Sequence, residues 1–501
     1  MLIHAGDSVF DAVIIGAGPA GIAAALAIQE RDGNARVALL DVGHSHHRRP
    51  CPVDNGRSCR GCGGICNVIS GFGGCMHYGD GVKLSLFPSG RRLSDLFGEE
   101  RSQKLSDRAF EALTSYLDNP PELRGYEIPA HMEVSFENRG LKIRPYPVAT
   151  VGESSLEKVI DGFHADLSQV MDVLLNHDLV GVSKIDEETY RLHIKGRRGE
   201  ISEIQTHALV VATGRRGLTS TQDILRSLNV KMDEPAPSIG VRFEMRSSLL
   251  EEVGLGHPDL KVSQRDQARK TKSFCFCGGS NGGRIKYTNY QTTFGVPLIT
   301  LDGHETLDRI PVGERELAGN FGLMCQLQAD GEAHEAKFQD RMFGKYREIA
   351  DGRPIVQRLR TFTDRVDEPL DWSELSDSLP FVPSVADVKT GPVHELLNEA
   401  QHDAIVHGFR ELIEPILEVA GEEADPDRLL DEVIVWGLEV EFLWNKVALS
   451  ENAETSASNV FVVGDAAGYA QGIIQGMMMG YAAGDCVAAR IAEKRLAESY
   501  S

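Results

Sequence analysis

The sequence of 501 residues is 42% hydrophobic and 25% charged, a composition typical of a soluble globular protein. One hydrophobic core rarely serves so long a chain, so we expect two or three domains. The 74 acidic and 52 basic residues give a formal net charge of −22, which argues against nucleic acid as a partner because a polyanion would be repelled.

No stretch of the sequence reaches the roughly 18 consecutive apolar residues that are needed to cross a bilayer, so we expect no membrane partner. The first residues, MLIHAGDSVFDAVIIG, lack a basic segment followed by a long apolar one, and they predict a strand and not a signal peptide. We therefore expect a cytoplasmic protein whose nine cysteines are reduced. The sequence leaves the oligomeric state open.

A glycine motif follows the first predicted strand, the apolar run Ala12–Ile15. Gly16, Gly18 and Gly21 have the spacing GxGxxG. In such a motif the first glycine permits a tight turn, the second lets the backbone approach a pyrophosphate, and the third lets the next helix pack on the strand. The motif predicts a dinucleotide-binding βαβ unit.

The context of the motif supports this interpretation. An alanine-rich helix is predicted from Pro19 through Ala20 to Arg31, and its N-terminal N–H groups favour a diphosphate. A second strand, Arg36–Leu40, ends at Asp41, where an acid can hydrogen-bond an adenosine ribose.

Another predicted strand, in the middle of the chain, also ends at a glycine. Residues 207–217 read HALVVATGRRG, so the apolar run stops at Ala212, Thr213 and Gly214. This ending is typical of two-dinucleotide-fold flavoproteins, in which the strand returns to the sheet beside the cofactor.

A third motif lies near residue 460. Residues 459–468 read NVFVVGDAAG, and a long helix is predicted from Gly472 and Ile473 onward. Asp465, after Gly464, can bond ribityl hydroxyls, and the helix N-terminus can stabilise a reduced, anionic flavin. The three motifs together predict an FAD site that is built from both ends of the sequence. No second GxGxxG motif of similar quality indicates a separate NAD(P) domain.

The fold class predicted is α/β, a discontinuous Rossmann-like FAD-binding domain with an inserted α+β substrate domain. We assign residues 1–234 and 446–501 to the first, with a Cys/Gly-rich segment at 50–84, and residues 235–445 to the second. Further elements are predicted as a helix at 153–176, strands at 179–183, 189–195, 239–245, 294–300 and 321–328, one or two helices at 394–420, and a solvated acidic loop at 421–427.

Several segments resemble the largely uncharacterised FAD-dependent dehydrogenases of bacteria and archaea, which are related to glutathione-reductase-like flavoproteins. The resemblance spans nearly the whole chain and rests on GAGPAG at 16–21, CPVDNGRSCRGCGGIC at 51–66, GFGGCMHYGDGVKL at 71–84, IGVRFE at 239–244, FCFCGG at 274–279 and GDAAGYAQGI at 464–473. It implies that Gly73, Gly74 and Lys83 also contact FAD.

The chain departs from the family pattern at several positions. Cys75 stands where alanine is usual, Gly79 replaces serine, Val82 looks inserted, and Asp465-Ala466 replaces a common Glu-Gly. The resemblance therefore implies a cofactor but does not define the substrate.

Four cysteines, Cys51, Cys59, Cys62 and Cys66, lie within 16 residues, and Cys75 follows. Four interpretations are open: a redox dithiol near the flavin, an iron–sulfur cluster, a structural zinc site, and reduced thiols that only pack a glycine-rich loop. The position of Cys66 after Gly63-Gly64 is similar to a GGxC segment of glutathione-reductase-like enzymes, but their partner cysteine spacing is absent.

Other side chains are candidates for chemistry. His77, Tyr78 and Cys75 are the predicted catalytic residues, because the glycine segment that contains them is expected to cover the flavin ring; Asp80 and Lys83 follow as further proton donors or acceptors, or as anchors of the loop. The pairs Cys275/Cys277, Arg242/Glu244 and Glu439/Glu441 alternate along predicted strands. The cysteines either line the flavin pocket or pack in the core, and the charged pairs either face substrate or are solvated.

The function predicted is that of an FAD-dependent oxidoreductase, a dehydrogenase or reductase that transfers a hydride between a small-molecule substrate and flavin N5. One alternative is an electron-transfer flavoprotein with an iron–sulfur or dithiol centre on the 51–75 segment. The other is a flavin-dependent RNA-modifying protein, which the acidic charge disfavours.

Overall fold

The computed structural model describes residues 9–76, 81–218, 220–233, 237–265, 270–290, 299–307, 313–326, 336–368, 370–441 and 445–500. In chain order the strands are β1 Phe10–Ile15, β2 Val37–Asp41, β3 Val82–Ser85, β4 Lys142–Ile143, β5 Val148–Val151, β6 Asp172–Leu175, β7 Asp178–Lys184, β8 Tyr190–Lys195, β9 Ile201–Val211, β10 Met232–Asp233, β11 Ser238–Arg246, β12 Val262–Arg265, β13 Lys270–Cys277, β14 Gly283–Asn289, β15 Ile299–Glu305, β16 Glu316–Gln326, β17 Ile355–Arg358, β18 Phe381–Val382, β19 Lys389–Thr390, β20 Ile434–Glu441, β21 Lys446–Val447 and β22 Val460–Val462.

The helices are α1 Pro19–Arg31, α2 Ser94–Phe97, α3 Glu99–Thr114, α4 Ala130–Glu137, α5 Glu153–Val170, α6 Ser220–Ser227, α7 Glu251–Gly256, α8 Ala336–Ala350, α9 Leu359–Asp364, α10 Trp372–Asp377, α11 Glu399–Val419 and α12 Ile473–Ser499. Among the described residues, none of these helices combines the length and the apolar composition that a membrane span requires.

The first sheet has seven strands, in the order β6-β2-β1-β9-β8-β7, with β22 paired to β9. The pairs β6–β2, β2–β1, β1–β9 and β9–β22 are parallel, and β7–β8–β9 form an antiparallel meander. The strands β1, β2 and β22 are buried, as their apolar sequences require. The predicted Rossmann-like α/β architecture is confirmed, and its strands come from both ends of the sequence.

The helices α1 and α12 pack closely against each other on this sheet. Small residues make the approach possible: a Cβ placed on Gly484 would lie 2.5 Å from Ala24 O and 2.7 Å from the Ala27 Cβ. Because α1 begins the chain's first βαβ unit and α12 is the last helix, this contact joins the first and last motifs of the sequence.

The second sheet has nine strands, in the order β19-β17-β20-β11-β16-β13-β12-β4, with β18 paired to β16. Most neighbours are antiparallel, and helix α11 covers one face, where the rings of Phe409 and Phe243 lie 4.4 Å apart between centroids. Buried apolar residues form two clusters, one around each sheet. Strand β4 pairs with β12 although it lies outside the predicted insertion, and the domain limits stay a prediction.

Most of the predicted elements are present, with one error. The strand predicted at 239–245 lies within β11, the helices at 394–420 correspond to α11 and a short 3₁₀ turn before it, and the acidic loop is exposed. The helix predicted over 153–176 ends at Val170, and its last residues form β6. A short apolar run fits either element, and pairing with β2 decides for a strand. Residues 291–298 and 327–328 of two other predicted strands lie outside the described residues.

Candidate functional site

A cleft of about 260 Å³ opens at the carboxyl ends of the parallel strands of the first sheet. Ligands of open α/β sheets bind at this edge. The cleft is lined by most of the residues that the sequence predicts to bind a cofactor: Gly16, Gly18, Pro19, Ala20, Asp41, Gly74, Lys83, Thr213, Gly214, Gly464, Asp465, Gly472 and Ile473. The structure therefore brings the three distant motifs together in one cavity.

The three glycines of the first motif have different surroundings. Gly16 has a φ of +105°, and a Cβ there would overlap Ala212 O, at the end of β9. A Cβ on Gly21 would overlap Gly16 O, so this glycine permits the close contact of α1 with the turn. A Cβ on Gly18 would meet only Gly74 Cα, at 3.7 Å, and would otherwise stand in the cleft. Gly18 thus leaves the space that a diphosphate needs.

Two helix N-termini line this cleft. Gly18 and Gly472 are the N-cap residues of α1 and α12, neither helix has a side-chain cap, and neither has an acidic residue in its first turn. Uncapped N–H groups together with the helix dipole favour a negative charge. The geometry fits a ligand with two anionic or electron-rich regions, one for each helix.

Asp41 has a structural role that the sequence did not predict. Its Oδ2 accepts the N–H of Ala17 at 2.9 Å, and its Oδ1 accepts the N–H groups of Gly43 and Gly71, both at 2.7 Å. A carboxylate has about four acceptor positions, so one remains for a ribose hydroxyl. Asp41 thus fixes the turns around the cleft, and its contact with a ribose stays a prediction.

Arg49 is a buried residue that the sequence analysis missed. Its guanidinium donates to four backbone carbonyl oxygens at 2.7–3.3 Å, those of Asn67, Val68, Phe72 and Gly74. These bonds shape the loop that contains Gly73 and Gly74. Gly73 does not line the cleft; its N–H donates to Ala17 O at 2.8 Å and attaches the loop to the first glycine turn. Nothing in the sequence distinguishes Arg49 from its neighbours.

Arg215 links the third motif to β15, which pairs with β14 in a separate two-stranded sheet. Its Nη1 lies 2.6 Å from Asp302 Oδ2, and its Nε lies 3.3 Å from Asp465 Oδ2. Burial raises the pKa of the Asp465 carboxyl above its ordinary value, and the Arg215 guanidinium opposes this effect. The basic pair that follows Gly214 in the sequence was the available signal for Arg215, whereas Asp302 had none.

Lys83 lines the cleft, but its ammonium group is directed at the second sheet. Its Nζ donates to Phe276 O and lies 3.3 Å from Pro258 O, 3.4 Å from Cys277 Sγ and 3.5 Å from Asp259 Oδ1. Burial acts against the charge, yet the Cys277 and Asp259 side chains hold the pKa of Lys83 above its ordinary value. Direct contact of Lys83 with a cofactor stays a prediction.

Of the two alternatives for the charged pairs on the second sheet, the solvated one is wrong. Arg242 is fully buried, and it donates to Glu439 Oε1 and Asn320 Oδ1, both at 2.6 Å. Glu244 is also buried and accepts the indole N–H of Trp436 at 2.9 Å. Glu441, which is 5% exposed, pairs with Lys272. The alternation along β11 and β20 placed these groups on an inner face, where buried charges require partners.

Cys75 is the one predicted catalytic residue that the structure describes; His77, Tyr78 and Asp80 lie outside the described residues. Cys75 lines the cleft, and burial raises the pKa of its thiol to about 12. Burial likewise raises the pKa of Cys51 to about 11. Both therefore stay protonated at neutral pH, and the catalytic role of Cys75 stays a prediction.

The segment that contains the four clustered cysteines contacts β14. Asn289 Nδ2 lies 3.6 Å from Cys59 Sγ, and Lys286 bonds Asp54 at 2.6 Å. Within the described residues Cys51, Cys59, Cys62 and Cys66 do not form a group with metal-ligand spacing, whereas the side chains of His46, His47 and Asp161 do. The iron–sulfur and zinc interpretations of the cysteines stay predictions, and iron, sulfide and zinc analysis of purified protein will test them.

No protein-family model and no curated protein matches the sequence. Among solved structures, the anhydrotetracycline hydroxylase OxyS from Streptomyces rimosus is 14% identical over 97% of this chain, with a TM-score of 0.37. A ternary complex of aklavinone-11 hydroxylase with FAD and aklavinone is 13% identical over 97%, with a TM-score of 0.38. The chain spans 63% of the length of each.

A flavoprotein/dehydrogenase from Cytophaga hutchinsonii is 11% identical over 97% of this chain and 79% of its own, with a TM-score of 0.40. Similarities at this level carry no argument about activity. The functional argument therefore depends on the cleft itself.

Proposed function

We propose that the protein is an FAD-dependent oxidoreductase that acts on a small molecule. The observation that carries the proposal is the joint lining of one cleft by the Gly16–Gly21 turn and by the Gly464-Asp465 turn with the start of α12. FAD needs an anion-binding turn for its central diphosphate and polar groups for the ribose and the ribityl chain on either side, and the cleft supplies both. When bound, FAD supplies the chemistry of hydride transfer.

Each part of the cofactor has candidate partners in the cleft. The space over Gly18 and the N-terminus of α1 suit the diphosphate, and the free acceptor position of Asp41 suits the adenosine ribose. Asp465 suits the ribityl hydroxyls, and the N-terminus of α12, at Gly472, suits the electron-rich edge of the flavin ring.

The substrate is proposed to bind where the cleft meets strands β13 and β15. Phe274, Cys275, Asp302 and His304 line this part. Burial lowers the pKa of His304 well below its ordinary value, so its imidazole is neutral at physiological pH. A neutral imidazole in this position can accept a proton as a substrate is oxidised. His304 therefore joins His77 and Tyr78 as a candidate proton partner.

The proposal is tested first on the purified protein. It should be yellow, with absorbance bands near ~370 and ~450 nm, as an oxidised flavin requires. Mass spectrometry of the released cofactor should identify FAD and not FMN, because the cleft includes an adenosine end. Colourless protein that takes up no FAD on titration would refute the proposal.

A pair of glycine variants tests the position of the cofactor. Gly18→Ala should fold, because its Cβ meets only one atom, at ordinary contact distance. The added methyl group nevertheless occupies the space over Gly18 that is proposed for the diphosphate. We expect FAD affinity to fall at least about tenfold, or about 1.4 kcal/mol. Gly33→Ala is the matched control, since no atom lies within 4 Å of its Cβ and it is outside the cleft. Equal affinities of the two variants would contradict the assignment.

A further inference from the structure

Cys275 and Cys277 lie at an irregular point of β13. The pairing of β13 with β16 shifts register between Phe274 and Cys277. Cys275 has a φ of +51°, a left-handed conformation that favours glycine or asparagine. A cysteine held there is strained, and such residues are concentrated at functional sites. The irregularity puts Cys275 in the wall of the cleft, whereas Cys277 is fully buried behind it.

The two thiols are close to each other and to fixed positive charge. The Cys277 thiol donates to Cys275 O at 3.3 Å, and Lys83 Nζ lies 3.4 Å from Cys277 Sγ. The guanidinium of Arg242 donates to Cys275 O at 3.0 Å. In the protonated pair the Cys275 thiol also donates to Gly303 O at 3.2 Å.

These surroundings ease the loss of the first thiol proton. The neighbouring Cys277 thiol, together with Lys83 and Arg242, lowers the pKa of Cys275 below its ordinary value, although burial opposes the shift. Burial raises the pKa of Cys277 well above its ordinary value. One thiolate facing a cleft beside one protonated thiol is the arrangement of a dithiol that undergoes exchange.

We propose that Cys275 and Cys277 are a redox-active dithiol that reduces small-molecule disulfides in the cleft. The Cys275 thiolate attacks one sulfur of the substrate, forming a mixed disulfide and releasing one thiolate. Cys277 then attacks Cys275 Sγ, which releases the second thiol of the substrate; the Cys277 proton leaves with it. The substrate gains two electrons and one proton and leaves as one thiolate and one thiol, and the pair becomes a disulfide.

The position of Cys275 connects the pair to the proposed cofactor site. Gly303 follows Asp302, and Asp302 is joined through Arg215 to Asp465. The inference rests on the proposed function only for the source of the electrons that reduce the pair again. The exchange with substrate depends on the two cysteines alone.

A single tryptic peptide makes the exchange measurable. Residues 273–284, between Lys272 and Arg284, contain Cys275 and Cys277 and no other cysteine. Full-length protein is reduced, desalted without oxygen, treated with oxidised glutathione, labelled with N-ethylmaleimide in acid and digested. We expect this peptide to lose two hydrogens, about 2 Da, and to carry no label. Cys277→Ser should accumulate glutathione on Cys275, because the second attack is lost.

Two variants control for structure. Cys275→Gly suits the left-handed backbone and should fold, but its Cys277 should not react. Cys325→Ser removes a buried cysteine on the neighbouring β16 and should leave the exchange unchanged. In addition, iodoacetamide should alkylate Cys275 at a lower pH than it alkylates an ordinary thiol.

A wild-type peptide that keeps two maleimide labels, or a Cys277→Ser variant that forms no adduct, would overturn the proposal. The peptide reports the exchange whether or not flavin is present. Colourless protein that forms the disulfide would refute the proposed FAD site and support the redox-active dithiol. Yellow protein whose peptide does not react would support the FAD site and refute the dithiol.

Discussion

The contact between α1 and α12 should tolerate no added carbon atom. In Gly484→Ala the new Cβ would lie 2.5 Å from Ala24 O and 2.7 Å from the Ala27 Cβ, whereas such contacts are essentially never under 3.0 Å. The obstacle is a backbone oxygen of a rigid helix, so the two helices must part by roughly 0.5–1 Å. Overpacking of this kind costs about 1–3 kcal/mol. Because alanine is better than glycine inside a helix by about 1 kcal/mol, we expect a net loss of about 1 kcal/mol and at most about 2 kcal/mol.

A second glycine provides a matched control. Gly344 lies inside α8, and no atom is within 4 Å of its Cβ, so Gly344→Ala should stabilise the protein by about 0.5–1 kcal/mol. Urea unfolding of both variants with saturating FAD, followed by circular dichroism and flavin fluorescence, measures the opposite signs. A Gly484→Ala variant as stable as Gly344→Ala would refute the close helix contact.

The remaining predictions concern a buried histidine and a buried arginine. Burial lowers the pKa of His257 from 6.5 to about 4, so its stabilising contribution is complete above pH 6.5 and is lost as the pH falls toward 4. Between pH 7.5 and 5, the unfolding free energy of the wild type should therefore drop by about 2 kcal/mol more than that of His257→Gln. Equal drops for the two proteins in urea titrations would contradict this cause. Arg49→Lys keeps the charge but loses the forked guanidinium that reaches four carbonyl oxygens, so it should lower the unfolding free energy by about 2–4 kcal/mol and weaken FAD binding in a fluorescence titration. The control Arg48→Lys changes an exposed neighbour and should have no effect. Similar losses in both variants would refute the role of the guanidinium.

The sequence predicted those parts of the site that depend on backbone conformation. Gly16, Gly18 and Gly21 follow a buried strand; a tight turn requires Gly16, a close contact requires Gly21, and Gly18 leaves open space in the cleft. Such requirements leave a local pattern in the sequence. The same holds for Gly464 and Gly472, both at positive φ.

Contacts between distant segments left no such pattern. The partners of Arg49 are carbonyl oxygens, which every residue has, so no spacing reveals them. The Arg215–Asp302 pair joins two sheets, and Cys275 reaches the cleft only through a shift of strand register. The charges of β11 illustrate the same limit. The alternation of side chains along β11 predicts which residues share a face of the sheet. Only the pairing of β11 with β20 shows that Arg242 contacts Glu439 and not water.

The alanine face of α1 has a consequence for the order of events during synthesis. Ala20, Ala24 and Ala27 are covered by α12, which the ribosome makes long after α1. Until then the first βαβ unit has an uncovered flank and only half of the cleft, because Asp465 and Gly472 are also still to come. The nascent chain therefore cannot hold the complete cofactor, and loading must follow release of the last helix. A protein interrupted within α12 should emerge without cofactor, with its first helix open to chaperones or proteases.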